Sequence, residues 1–544
     1  EYQKDILNEA ILLNNGSIDI PMGAGKTIIS LVLALEQYKL YNSPVLIIVS
    51  KSLLSNWKNE IDKFFKNGLN YIILHKDYIK NIDNYTIESS IKIIITTADF
   101  TSKCYKSNLL IKSKLINTYH IPIVNNLTRE VLEFNMIDIP ILSKMDNIYS
   151  YIYHIQFSSL IIDEIQNYTN FDAIKCKSLV AISSNSRYGL SGTLFNEPKT
   201  KKLFGYYLLT NSLNIPRRFD LAESYFKSDS FNGYLSSVIH RDTIPNFKKP
   251  EINTTVITHD ATDDEIILYQ SMKKCIKIIA KYVNMYSMNN NYNSTNSRLY
   301  RAYILTMVTY FRQMIITPIL PIAKCFLDSI DTNANSELTN IIIGEFEKLN
   351  LSSYLNNESN LISSRVKKIQ EMVHKHNEEL IIIFTCFRVN LDIMFDILDD
   401  TRPKFKISSD MTSIERDSII NSFKLSENGL LYLTYDIGAE GLNLQFCKTI
   451  LFADLYWNMG KIDQAKARIL RPGQLSDHIN IYYFISNLGI EKSILQKHKD
   501  KLIIIDEIKT GKMKTTVKTI SMKDIIKMID DGDNLDMMNK NLNL

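Results

Sequence analysis

Short aliphatic and β-branched runs alternate with amphipathic stretches through the first half of the chain. Val45 to Val49 (VLIIV), Ile91 to Ile95 (IKIII) and Leu160 to Ile162, which precedes two acidic residues, read as buried strands. Thr27 to Lys39 and Ser52 to Phe65, between them, carry a helical period. Strands alternating with helices predict a parallel sheet covered on both faces. The rhythm breaks at about residues 105–155, which read as an insertion. Residues 249–357 differ again. They are rich in Tyr, Met and Lys and mostly helical, with a polar low-complexity stretch from Met288 to Ser297 that reads as a mobile loop. Alternation then returns, with strand candidates at Leu380 to Phe384, Leu430 to Thr434, Thr449 to Phe452 and Ile479 to Ile485. The expected plan is an α/β domain at 1–248, a helical connector at 249–357, a second α/β domain at 358–500 and a charged tail, helical or disordered, at 501–544. No short-period repeat interrupts it.

Composition narrows the class only slightly. The 544 residues exceed what one core serves. Apolar residues at 45% and charged residues at 22% are ordinary for a water-exposed globular chain. No apolar run approaches the ~18 residues of a membrane helix, and no secretory pattern opens the chain. It begins at Glu1 rather than Met, so residues upstream are expected. A net charge of +4 neither demands nor excludes nucleic acid, because a local basic groove can sit inside a balanced total. The six cysteines (Cys104, Cys176, Cys275, Cys325, Cys386, Cys447) form no CxxC pair, which argues against zinc or a disulfide framework and fits a reducing compartment. His374 and His376, two apart, splay on a helix and make a poor metal pair.

The chemistry concentrates in three places. Met22-Gly23-Ala24-Gly25-Lys26-Thr27 precedes a helix. Glycines there let backbone N–H groups approach phosphates, Lys26 would neutralise the β/γ oxygens, and the Thr27 hydroxyl would bind Mg²⁺. The strict pattern wants glycine where this chain has Ile20, and a plain glycine turn is the simpler alternative. Asp163 and Glu164 end an apolar strand. Alone such a pair is usually a solvated strand end; after a phosphate loop, Asp163 would hold the metal and Glu164 would polarise the attacking water. Arg468 and Arg471, three apart, would share a face of a helix and could meet developing charge on the phosphate; an ordinary basic face is the competing reading.

Taken in order, these blocks resemble helicase superfamily II, and within it the Swi/Snf-type DNA-dependent ATPases. Tyr2-Gln3 resembles the family's adenine-reading pair, and Lys51 to Trp57 (KSLLSNW) its block beside the nucleic-acid path. Thr96-Thr97, Asp163-Glu164-Ile165-Gln166 and Leu190 to Asn196 (LSGTLFN) follow. Phe311-Arg312-Gln313 with Pro318, Ile383-Phe384-Thr385, Glu415-Arg416 with Phe423, and Gly438 to Leu444 (GAEGLNL) match later blocks. Tyr456-Trp457-Asn458 and Gln464 to Gln474 (QAKARILRPGQ) are the most specific match. Gln166 stands where the family has His, Ser191 for Thr, Leu194 for Pro, Ala467 for Gly and Leu470 for His; the first of these puts γ-phosphate coupling in question. The blend of composition and motifs is similar to helicase-like proteins of large DNA viruses.

The resemblance implies two RecA-like P-loop domains with parallel sheets, joined by the helical connector. It implies ATP and Mg²⁺, bound by Gln3, Met22, Gly23, Ala24, Gly25, Lys26, Thr27 and Gly441, with Thr27 and Asp163 on the metal. Lys26, Glu164, Arg468 and Arg471 become the catalytic set, the arginines closing from the second domain onto ATP. Gln166, Ser191, Gly192, Thr193 and Gln464 become the coupling set. Lys51, Ser52, Thr96, Thr97, Gly441 and Asn443 are expected against phosphate and sugar, without reading sequence. Trp57 and Trp457 either stack on bases or pack in the core, and packing is favoured because Trp is highly buried on average. The Met- and Tyr-rich connector reads as helix core. The implied function is an ATP-dependent translocase that remodels DNA or protein–DNA complexes. DNA ranks ahead of RNA as partner, in a transcription or chromatin-like complex, with no membrane and no zinc. The location implied is intracellular, in nucleus or cytoplasm, or the virion. Two alternatives stay open: a strand-separating helicase, and a transcription-complex subunit with a vestigial ATP site. A restriction-type motor lacks any visible nuclease constellation.

Overall fold

The computed structural model describes residues 1–66, 68–82, 85–111, 116–124, 131–140, 148–194, 199–212, 215–216, 218–228, 236–245, 247–289, 295–331, 337–349, 362–438, 442–488, 490–509, 524 and 527–529. The chain forms two compact units, one from Glu1–Lys248 and Lys501–Lys518, the other from Lys249–Asp500 and Thr519–Leu544.

The first unit is built on strands β1 (Asn15–Asp19), β2 (Val45–Val49), β3 (Tyr71–Leu74), β4 (Ile93–Thr97), β7 (Phe157–Asp163), β8 (Ser184–Ser191) and β9 (Val238–His240), ordered β3-β4-β2-β7-β8-β1-β9 and parallel throughout. Every residue of β2, β4 and β7 is buried. Alternate side chains feed opposite cores: Leu46, Ile48, Ile94 and Ile162 one, Val45, Ile47, Ile95 and Ile161 the other. Helices α1 (Tyr2–Leu13), α2 (Lys26–Tyr41) and α3 (Leu54–Phe65) join these layers. A 3₁₀ turn, Lys51–Leu53, leads into α3, so this helix starts later than the periodicity predicts. The stretch read as an insertion holds the end of the helix Ala98–Ile111, the antiparallel pair β5 (Ile116–Val124) and β6 (Val131–Pro140), and the helix Ile148–His154.

The second unit carries β10 (Glu251–His259), β11 (Leu380–Thr385), β12 (Lys404–Ile407), β13 (Gly429–Thr434), β14 (Thr449–Phe452) and β15 (His478–Ser486), ordered β10-β15-β14-β11-β13-β12, again all parallel. Its helices Asp263–Asn289, Thr295–Gln313 and Ile319–Asp331 contribute Met272, Ile276, Met307, Phe311 and Ile322 to the core that also takes in the sheet. The loop expected from Met288 to Ser297 is thereby trimmed: helix runs to Asn289 and restarts at Thr295, and residues 290–294 lie outside the described set. The helical pattern of the connector simply extends further into polar sequence than composition suggests. In the tail, Ile504 and Ile508 are buried in the first unit's core. Among the described residues no helix is long and apolar enough to cross a membrane.

Candidate functional site

Strand register gathers most of the candidate residues of the first unit at one sheet edge. Val49 pairs with Thr97, Ile48 with Ile162, Asp163 with Leu190 and Asp19 with Ser191. The segments that follow these carboxyl ends therefore lie side by side, where parallel α/β sheets take their ligands.

The loop after β1 owes its shape to two glycines in the left-handed region, Gly23 at φ 84° and Gly25 at φ 89°. No side chain caps α2, so its first N–H groups point from a helix N-terminus without an intrahelical partner. Ile20 is tolerated in place of glycine because it extends the strand, its N–H donating to the Ser191 carbonyl at 3.1 Å while its side chain is buried. Lys26 Nζ donates to the Ile20 carbonyl at 3.2 Å and folds back over the loop. A Cβ on Gly192 would stand 3.2 Å from that Nζ and from the Ile20 carbonyl oxygen, a tight fit that a bare glycine avoids. Gln3 Nε2 donates to the Ala24 carbonyl at 3.2 Å, and a Cβ on Gly25 would strike it at 2.3 Å.

Asp163 is buried at the end of β7. The Trp57 indole donates to its Oδ2 at 3.0 Å and the Glu164 backbone N–H to its Oδ1 at 3.0 Å. Burial first, then the Glu164 charge, push its carboxyl up to about 6, against the opposing pull of the Trp57 hydrogen bond and of Lys26. Glu164 itself sits at φ 48°, unusual for a residue with a Cβ, and its carboxylate accepts from Gln166 Nε2. Ser191 Oγ accepts from the Thr193 N–H at 2.9 Å. Two buried polar atoms beside these groups, Gln166 Oε1 and Thr193 Oγ1, have no hydrogen-bond partner among the described residues. An uncapped helix start, a lysine, a buried carboxylate and unanswered polar atoms fit a nucleotide triphosphate with Mg²⁺. Among the described residues no His/Cys/Asp/Glu group suits an all-protein metal cage. Next door, His240 Nδ1 lies 3.0 Å from Asp19 Oδ2 and Nε2 lies 2.8 Å from Asp242 Oδ1, and the bond to Asp19 above all raises the imidazole above its ordinary value.

The candidates for nucleic-acid contact are less uniform. Lys51 is exposed and pairs with Asp77 at 3.6 Å; Ser52 shares a hydrogen bond with Ser50 at 3.0 Å. Thr96 is fully buried and its hydroxyl donates to the Leu74 carbonyl at 2.8 Å, so it serves the sheet edge. Thr97 accepts the Phe100 N–H at 3.2 Å and starts the next helix. Trp57 is packed, 2% exposed. Phe195, Asn196 and Gly441 lie outside the described residues.

In the second unit the arginines are not on a helix. The helix Met459–Lys466 ends before them, and Arg468 and Arg471 lie in the turns that follow. Pro472 disfavours helical backbone at the residue before it, and Gly473 at φ 97° finishes the break. Both arginines instead knit the glycine-rich block: Arg468 Nε donates to the Gly438 carbonyl at 3.0 Å, and Arg471 Nη1 to the Leu442 carbonyl at 3.1 Å and to Asn443 Oδ1. Burial lowers the Arg471 guanidinium to about 10, which leaves it charged near neutral pH. Gln464 is buried. Arg312 donates to the Leu455 carbonyl at 2.8 Å and lies 5.0 and 5.2 Å from the ring centres of Phe387 and Trp457, joining its own motif block to that of Trp457. Trp457 thus packs on Arg312. Glu415 closes a capping box with Thr412, and Phe423 is core, so that block builds its helix.

Sequence reading missed a buried polar cluster at the carboxyl ends of β10, β14 and β15. Arg365, fully buried, donates through Nη1 to the Ala453 carbonyl at 2.6 Å, through Nη2 to Glu491 at 2.5 Å, and through Nε to His259. Glu491 also accepts the Ser486 N–H at 3.2 Å. Burial, then Arg365, hold His259 down at about 3, hence neutral. Nothing local flags this arginine, which opens an ordinary amphipathic helix.

Comparison with known proteins gives the family and the fold. Residues 14–225 match the SNF2-related domain and residues 364–473 the helicase conserved C-terminal domain. The chain is 25% identical to the helicase-like protein 172L of Invertebrate iridescent virus 6, over 89% of this chain and 82% of that one. It is 22% identical to CHROMATIN REMODELING 5 of Arabidopsis thaliana over 93% of its own length, but spans only 26% of that longer protein. The helicase domain of Hef from Pyrococcus furiosus shares the fold at 14% identity and a TM-score of 0.50, covering 91% of this chain and 97% of that one. The two parallel-sheet units are RecA-like, and the chain belongs to the Swi/Snf-type, helicase-like ATPases of helicase superfamily II.

Proposed function

We propose that this chain is an ATP-dependent nucleic-acid translocase, hydrolysing ATP to ADP and phosphate to move along DNA and to remodel DNA or protein–DNA complexes. The reading rests chiefly on the gathering of Lys26, Asp163, Glu164 and Gly192 at one sheet edge, beside buried polar atoms that find no partner among the described residues. Lys26 and the bare N-terminus of α2 bind the phosphates, and Gln3 serves the base. Thr27 and Asp163 would hold Mg²⁺, which would supply positive charge against the phosphates. Glu164, kept in place by Gln166, orients the attacking water and takes its proton. Gln166 and the Ser191–Thr193 turn pass the loss of phosphate contact to the rest of the unit, and the second unit contributes Arg468, Arg471 and Gln464 to turnover. Lys51, Ser52 and Asn443 are exposed or near the surface and take phosphate and sugar, which positions a strand without reading its sequence. DNA ranks ahead of RNA, and a transcription or chromatin-like complex is the expected setting.

The test is ATP turnover with no nucleic acid, single-stranded DNA, duplex DNA and RNA, in the wild type and in Lys26→Ala. Turnover should rise most with duplex DNA, without displacement of a labelled strand, and Lys26→Ala should lower it by on the order of 10²–10³. Equal turnover in both proteins would refute the ATPase reading and leave a vestigial site; release of a labelled strand would replace translocase with helicase.

A further inference from the structure

We propose that Trp57 is a positioning residue for Asp163, its indole N–H fixing the carboxylate for Mg²⁺ and tying the Lys51–Trp57 segment to the metal site. The inference rests on the reading of Asp163 as a metal ligand.

Trp57 and Asp163 are separated by 106 residues, and the fold brings the indole Nε1 to 3.0 Å from Oδ2. Trp57 is 2% exposed, in a cluster with Val49, Leu54, Ile61 and Ile95. Packing alone would be met by phenylalanine; a buried indole adds an N–H that needs an acceptor, and here the acceptor is a carboxylate. The donors fall one on each oxygen, the indole on Oδ2 and the Glu164 N–H on Oδ1. Two donors on different oxygens set the plane of the carboxylate and leave the remaining lone pair of each for a ligand. Metal-binding groups are oriented in this way by partners one bond further out, whose loss typically weakens metal affinity 10–100-fold.

The placement of Trp57 supplies the second half of the proposal. It sits one turn into α3, immediately after the 3₁₀ turn that carries exposed Lys51. A load on Lys51 and Ser52 acts on the first turn of α3, and the indole is the polar group through which that turn touches Asp163. Nucleic acid on this segment therefore tunes metal binding, and the coupling is lost when the N–H is lost.

The full chain has two tryptophans, so 5-fluorotryptophan labelling gives two ¹⁹F resonances, assigned with Trp457→Phe. The Trp57 resonance should shift when Mg²⁺ is added to protein holding a non-hydrolysable ATP analogue, and should not shift when EDTA accompanies the analogue. Trp57→Phe should raise the half-saturating Mg²⁺ concentration for binding of that analogue about 10–100-fold and flatten its response to duplex DNA, while metal-free analogue binding stays unchanged. A Trp57 resonance indifferent to Mg²⁺, or an unaltered Mg²⁺ requirement in Trp57→Phe, overturns the proposal. If that variant does not fold, the resonance in the otherwise unmodified chain decides alone. Failure of the unmodified protein to bind the analogue at all would sink the parent reading, a result distinct from an unaltered metal requirement.

Discussion

The carboxyl edges of the two parallel sheets each bury a carboxylate, Asp163 at one and Glu491 at the other, and hold it differently. At the first, the Trp57 indole and the Glu164 N–H donate to Asp163, whose carboxyl is pushed up to about 6, and Gln166 Oε1 and Thr193 Oγ1 find no partner among the described residues. At the second, Arg365 reaches His259, Ala453 and Glu491, and Glu491 in turn serves the Ser486 backbone. The first edge holds its buried carboxylate with uncharged hydrogen-bond donors, whereas the second meets it with a guanidinium, whose removal would leave a charge stranded.

Substitutions can break that contrast in order of size. Arg365→Leu should be the most damaging, because it strands the Glu491 carboxylate in the interior. A loss of about 3–5 kcal/mol is expected, read as a lower urea midpoint for the second unit. Lys26→Ala, by contrast, should leave the first unit's unfolding almost where it was. Gly192→Ala tests how tightly the first edge is built. The new methyl would meet Lys26 Nζ and the Ile20 carbonyl, both at 3.2 Å, so the lysine must yield by a few tenths of an ångström. Turnover should drop about tenfold with little change in melting, and unchanged turnover would mean that Lys26 is not held where the turn puts it.

The smallest effect lies at the clamp between β1 and β9. Asp19 favours the charged form of His240 in the folded chain, so the imidazole's folded value exceeds its unfolded one. The stabilisation is complete below the unfolded value near 6.5 and fades as pH rises through the folded one. His240→Gln should therefore cost under about 1 kcal/mol in mildly acidic buffer and almost nothing in alkaline buffer, measured as urea midpoints at the two pH values. A cost that grows with pH would contradict the assignment.

What the sequence could disclose follows the reach of each signal. β2 ends where its aliphatic run ends, because a strand buried on both faces leaves no polar position to blur its limits. The phosphate loop is legible because its glycines and lysine are neighbours in sequence. Arg365 is not, since its partners His259 and Glu491 are 106 and 126 residues away and its own helix looks ordinary. Trp57 and Asp163 are each visible, and their bond is not. The spacing of three in the arginine pair is compatible with a helix, while Pro472 and Gly473 just beyond it decide otherwise.

Glu164 gives the family resemblance a practical use. Its left-handed backbone at φ 48° is a conformation that glycine or asparagine would adopt at lower cost, by roughly 1 kcal/mol or more. The proposed role of the carboxylate supplies a reason to keep glutamate at that cost: relatives that turn over ATP should carry it here, and a sister sequence with glycine or asparagine at this point should show no turnover.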